Sequence, residues 1–227
     1  MARACLIRTD LFAYHVTARS NNREWFYLPL RDSWEIFSEM LWKINHIHLA
    51  HIHAFVLMGN HYHLALSTPL KNLDEIMRYF QTEVARRFKD RSGRINHVFG
   101  GRYRWTLLPD SRALAFAYKY IARNPVRAGL TKKVEDYSFS SFFVNPSYSA
   151  WPLPICEGFD SYWGQIPRPF EERLSWLNQP TPKESESLVK AAMNHHSFRF
   201  TCRRGTERAI QLLHKVYGVQ EQIRDQK

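Results

Sequence analysis

Between Leu11 and Asn124 the hydrophobic period of the chain switches back and forth between two residues and 3.6, and this alternation admits few folds. LFAYHVTAR (Leu11 to Arg19) is rich in aromatic and β-branched residues and reads as a strand. DSWEIFSEMLWKIN (Asp32 to Asn45) spaces Trp34, Phe37, Leu41 and Ile44 as one face of a helix. HIHAFVLM and HYHLALS follow as two strands joined at Gly59-Asn60, where a leading glycine suits a two-residue hairpin turn of type II′. LDEIMRYFQTEVARRFKDR (Leu73 to Arg91) is a helix with Ile76, Phe80, Val84 and Phe88 on its apolar face. RYRWTLLP (Arg102 to Pro109) is a fourth strand, and SRALAFAYKYIARN (Ser111 to Asn124) a further helix limited by Pro125. The economical packing of this order is α+β: a ferredoxin-like antiparallel four-stranded sheet with two helices on one face, leaving the other face to the helix that carries Tyr120.

That order gives meaning to a run of histidines. His-x-His occurs as His46/His48, His51/His53 and His61/His63. On a strand, residues two apart point to the same side about 7 Å apart at the backbone, close enough to chelate one ion. With a two-residue turn at Gly59-Asn60, Met58 pairs with His61 and Val56 with His63. His51 and His53 then take the opposite parity, beside Leu64 and Leu66, unless a bulge intervenes. His46 and His48 fall where helix gives way to strand and read as polar boundary residues. An isolated pair is weak evidence for a metal. Tyr120 and Asn124, four apart on the last helix, supply a second set of polar groups that would meet His61 and His63 across the sheet. Tyr118 is turned about 200° from that face.

Charge narrows the partner. A formal net charge of +11 over 227 residues points to a polyanion. The cations are interleaved with aromatics from Arg78 to Trp105, a mixture that suits a groove neutralising phosphates and stacking unpaired bases, and also an ordinary aromatic core under a solvated basic surface. Arg19, Arg102, Arg104, Arg123 and Arg127 are the candidates for contact with the polyanion's phosphates. The three cysteines, Cys5, Cys156 and Cys202, are far apart without a C-x-x-C pair and suggest reduced thiols in a cytoplasm. No stretch is apolar for long enough to span a bilayer, so no membrane partner is expected. From Pro146 the composition turns to proline, tryptophan and serine, which divides the chain into a domain over 1–145 and an appendage over 146–227 with helical pieces at Glu184 to Met193 and Thr206 to Tyr217.

MGNHYHLALSTP, followed at a distance by YKYIARNPVRAGL, resembles the signature of the single-strand DNA transposases with a His-hydrophobe-His motif and one catalytic tyrosine, the insertion-sequence 200-like family. Within it the chain is similar to the REP-associated tyrosine transposases, through YHVTAR, GGRYRW, NPVRAGL and YSFSSF as an ordered series over roughly residues 10 to 145. Tyr62 departs from the usual aliphatic between the histidines, and Gly59 stands where the family often has proline. The resemblance implies that His61 and His63 bind a divalent ion, Mg2+ or Mn2+, that Asn124 completes the protein ligands, and that Tyr120 is the nucleophile. It implies cleavage and rejoining of single-stranded or hairpin DNA at palindromic repeats through a 5′-phosphotyrosine. It further implies a bacterial, cytoplasmic protein, nucleoid-associated when bound, and a monomer, where the wider family uses homodimers.

Other readings start from the same residues. His15-Val16-Thr17 resembles half of a two-histidine phosphoesterase site, but no second His-x-Ser/Thr matches it. A non-catalytic, domesticated binder of hairpin DNA or RNA would use the same basic groove. An RNA-recognition module lacks its aromatic glycine-rich strand motif here.

Overall fold

Alternation along the strands sorts the core into two layers. In the computed structural model, which describes residues 5–143, 153–156 and 161–200, the order is β1 (Ala13–Arg19), α1 (Leu30–His48), β2 (His51–Leu57), β3 (His61–Ser67), α2 (Leu73–Ser92), β4 (Arg104–Leu108) and α3 (Ser111–Ala122). The strands form one sheet in the order β2-β3-β1-β4 with all neighbours antiparallel. This is the ferredoxin-like α+β arrangement. Tyr14, Val16, Tyr62, Leu64 and Leu66 face α1 and α2, where Trp34, Phe37, Leu41, Ile44, Ile76, Phe80, Val84 and Phe88 are all buried. Each such side chain removed from water contributes about 1.5–3 kcal/mol, so this layer fixes the register of the sheet. Ala13, Ala54, Val56 and Ala65 face the other way, onto α3. Small residues there let the helix approach the sheet.

α3 starts at a cap: the Asp110 carboxylate accepts a hydrogen bond from the Ala113 amide at 2.8 Å. It breaks at Arg123, and Pro125 is placed in the first turn of a short α4 (Asn124–Arg127), where a missing amide proton costs nothing. The expected helix therefore ends two residues early, but a helical turn resumes at Asn124.

The described part of the tail packs on the α3 layer rather than forming a core of its own. Two short helices, α5 (Phe170–Asn178) and α6 (Lys183–Ala192), bring Trp176, Leu177, Val189 and Ala192 into that core beside Trp163 and Phe198. α6 lies one residue from the expected Glu184 to Met193, α5 was not expected, and the expected helix at Thr206 to Tyr217 lies outside the described residues.

Both outer strands are stitched by later segments. On β2, the Leu57 amide donates to Phe139 O, the Ser141 amide to Phe55 O and the Cys156 amide to Ile52 O. On β4, the Leu107 amide donates to His196 O, and the Phe198 amide donates to Leu107 O.

The hairpin between β2 and β3 pairs as expected, Val56 with His63, and the Met58 amide donates to His61 O. Its turn is not type II′, because neither Gly59 nor Asn60 has a positive φ. The carbonyls of Gly59 and Asn60 accept instead from the amides of Phe26 and Ser20, and the Trp25 ring lies over Gly59, 3.5 Å from where a Cβ would stand. That is an ordinary contact distance, so neither φ nor crowding makes glycine a requirement of this turn.

Candidate active site

In the antiparallel pair of β1 and β3, Thr17 stands opposite His63, Arg19 opposite His61 and His15 opposite Ala65. β4 adds Arg104 opposite Thr17 and Thr106 opposite His15. One sheet face thus gathers His15, Arg19, His61, His63 and Arg104, and it is the face that receives α3.

The histidines are oriented by specific partners. His61 Nδ1 lies 2.7 Å from Asn60 Oδ1, and the Asn60 amide is fixed the right way round because its Nδ2 donates to Arg23 O at 2.8 Å. His61 therefore carries its proton on Nδ1. His63 Nδ1 lies 2.8 Å from His15 Nε2, with the two rings nearly coplanar, inclined by 19° with centroids 5.1 Å apart. Burial holds all three neutral: it lowers His15 to about 3, with Arg104 adding to the effect, and His61 to about 4, with Arg19 and Arg127 adding. His63 is lowered well below 6.5 by burial first, then by the neighbouring histidines and the same two arginines. A neutral imidazole is the form that ligates a metal.

From the opposite side α3 presents Tyr120, its ring 5.6 Å from His63 and 6.4 Å from His15, edge-on to both. The Arg127 guanidinium covers the Tyr120 ring at 4.0 Å and donates to Asn124 Oδ1 at 2.8 Å. Asn124 Nδ2 donates to Tyr120 O at 2.9 Å, which leaves its oxygen as the group turned to other partners. His61, His63 and Tyr120 are brought together, and Asn124 is tied to Tyr120 through the tyrosine's carbonyl. Among the described residues no three His, Cys, Asp or Glu side chains are placed to hold a metal ion together, so a third protein ligand beside the two imidazoles would be of another type, such as the Asn124 amide oxygen. With Nδ1 of both imidazoles engaged and Asn124 Oδ1 keeping a second lone pair, this donor set fits a divalent ion.

The other expected residues part company. A bulge between Ile52 and Ala54 shifts the register, so His51 pairs with Ser67 and the parity expected for His51 and His53 is reversed. They share the His63 face, yet at its far end: His53 Nδ1 donates to Cys156 O at 2.9 Å, and its Nε2 accepts from Ser67 Oγ at 2.7 Å. His46 and His48 lie in the last turn of α1, His46 stacked on Trp42. Arg123 is not free for DNA. Its guanidinium donates to Leu177 O and Asn178 O at the end of α5, and it is one of the buttresses of the tail. Arg102 and Arg104 line a cleft of 1010 Å³ at the β4 edge together with Arg8, Arg78, Tyr103 and Trp105. His15, Asn60 and Arg127's grip on Tyr120 were not read from the sequence as parts of this site. The signal for His15 was the matching parity of YHVTAR and HYH, usable only once β1 and β3 are known to be neighbours.

No family model matches the sequence, and no curated protein is similar to it. Solved structures are. A REP-associated tyrosine transposase bound to a REP hairpin superposes with a TM-score of 0.54 at 17% identity, covering 71% of this chain and 97% of that one. A candidate transposase from Deinococcus radiodurans R1 overlaps less, with a TM-score of 0.36 at 14% identity, covering 57% and 91%. The chain has the fold of a REP-associated tyrosine transposase.

Proposed function

We propose that this protein is a REP-associated tyrosine transposase that cuts and rejoins single-stranded or hairpin DNA through a covalent 5′-phosphotyrosine. The observation that carries the reading is the convergence of Tyr120, from α3, on His61 and His63, from β3, with Asn124 one helical turn beyond the tyrosine. The Tyr120 oxygen forms a bond to the scissile phosphorus while the bond to the 3′ oxygen breaks, leaving a free 3′-OH and the downstream 5′ end on the protein. One ester replaces another, so the step needs no ATP and is reversible. His61, His63 and Asn124 would hold Mg2+ or Mn2+, which when bound supplies polarisation of the phosphate and stabilisation of the departing 3′ oxygen. Arg127 steadies the nucleophile by covering its ring and holding the Asn124 oxygen. Arg19 and Arg104 keep the histidine face positive, which favours the phosphate. The cleft with Arg102, Tyr103 and Trp105 suits an unpaired flank of the hairpin, with cations for phosphates and rings for bases.

The test is a denaturation-resistant adduct. Wild-type protein incubated with a cleavable DNA hairpin and Mn2+ or Mg2+ should retain the downstream 5′ end covalently, and Tyr118→Phe should do the same. Tyr120→Phe should lose adduct and cleavage while still binding the hairpin. Cleavage by Tyr120→Phe at the wild-type rate, with both fragments free, would mark a hydrolytic nuclease. Binding without cleavage by the wild type would mark a non-catalytic hairpin binder.

A further inference from the structure

We propose that His15 is a positioning residue that sets the tautomer of His63: its Nε2 accepts the proton of His63 Nδ1, so that the lone pair of His63 lies on Nε2 and is presented to the metal. The inference rests on the metal reading of His61 and His63. It starts from one contact, His15 Nε2 to His63 Nδ1 at 2.8 Å, between rings inclined by 19°.

The sequence makes this contact possible in a definite way. His15 and His63 are diagonal neighbours on adjacent antiparallel strands, His15 opposite Ala65 and His63 opposite Thr17. Both rings are nearly removed from solvent, His15 at 3% exposure and His63 at 7%, and Tyr120 meets both edge-on. Neither ring can wander.

Two neutral imidazoles joined by one hydrogen bond share a single proton, and two arrangements exist. In one, His63 donates from Nδ1 and keeps an Nε2 lone pair. In the other, His15 donates, and His63 must carry its remaining proton on Nε2, where it cannot ligate. Only the first leaves His63 an Nε2 lone pair for an ion, and it matches the tautomer of His61, where Asn60 Oδ1 can only accept and so the proton is on Nδ1. His15 does for His63 what Asn60 does for His61. Outer partners of this kind orient the ring and raise its basicity as a ligand.

The assignment separates His15 from a core residue that merely fills space. Two readouts are needed: the imidazole nitrogen shifts of 15N-labelled, metal-free protein near neutral pH, and Mn2+ affinity measured calorimetrically in a Tyr120→Phe background with hairpin DNA present. Wild-type His63 should show a protonated Nδ1 and an unprotonated Nε2. His15→Ala should give His63 a mixture of tautomers and weaken Mn2+ binding about 10–100-fold. His15→Gln, whose side-chain oxygen can accept from Nδ1, should restore the tautomer and most of the affinity. The proposal is overturned if wild-type His63 is protonated on Nε2, or if His15→Ala, folded by circular dichroism, keeps both tautomer and affinity. A wild type with the Nδ1 proton in place that binds no Mn2+ would refute the metal reading and still support the tautomer assignment. Should His15→Ala fail to fold, the wild-type shifts and His15→Gln decide the matter.

Discussion

Tyr62 carries a hydroxyl where the middle residue of its histidine triplet needs only to be apolar. The ring is fully buried against Phe37, Phe55, Phe80 and Phe99, and among the described residues the hydroxyl has no hydrogen-bond partner. Burial raises its pKa, so it stays neutral. Replacing an unsatisfied buried hydroxyl by hydrogen at constant shape relieves a desolvation cost, and Tyr62→Phe should raise stability by about 1 kcal/mol in urea unfolding while cleavage is retained. A loss of stability would reveal a hydrogen bond at that hydroxyl. At this scale the sequence is most legible where spacing alone decides: parity puts His61 and His63 on one face, and a step of four puts Asn124 under Tyr120. It is least legible where one extra residue in a strand resets the parity. The bulge at His53 turned the His51 and His53 pair onto the histidine face without leaving a mark in the alternation. Replacing both by alanine should cost stability, through the two hydrogen bonds of His53, and leave adduct formation intact.

Among the elements, the long ones are readable because each buries a full apolar face, as α2 does with Ile76, Phe80, Val84 and Phe88. α5 is not. Its nine residues follow Pro169 and are too few for a helix to hold alone, and what makes it one is tertiary: Trp176 and Leu177 docking into the α3 layer. Arg123 belongs to that docking. Its cation neutralises the carbonyl end of α5 from a side chain only 11% exposed. Arg123→Ala should therefore destabilise the fold by about 2 kcal/mol and leave the slope of hairpin affinity against salt unchanged. Arg104→Ala should do the reverse, unfolding at nearly the wild-type denaturant concentration while the salt slope falls by about one unit. Fluorescence anisotropy across a salt series, beside urea curves for both variants, distinguishes the roles. If Arg123→Ala flattened the salt slope, the arginine would be a phosphate contact after all.

For the molecule as a whole, three buried neutral histidines make acid an unfolding agent. His15 at about 3, His61 at about 4 and His63 well below its ordinary value all take up protons less readily folded than unfolded, where 6.5 applies. The unfolded chain binds more protons in between, so stability rises with pH there: it is fully present above 6.5 and lost as pH falls through 6.5 toward 4 and 3. Melting temperature should be level above neutrality and fall steeply below it, and less steeply for His15→Gln, which cannot titrate. A wild-type profile flat down to about pH 4 would contradict this burial. The stitching of β2 and β4 by residues from beyond the second strand pair has a different consequence, for behaviour in a test tube and in a crowded cell. An unpaired strand edge is a template on which another chain can grow. Here the segments 139–141 and 155–156 occupy part of one border and 196–198 part of the other, which shortens the edge open to another chain. A chain cut after residue 143 would keep His61, His63, Tyr120 and Asn124 but expose β4 along Leu107 and strip part of β2, as well as the apolar side of α3. It should emerge as soluble aggregates that bind thioflavin, where the intact chain stays dispersed.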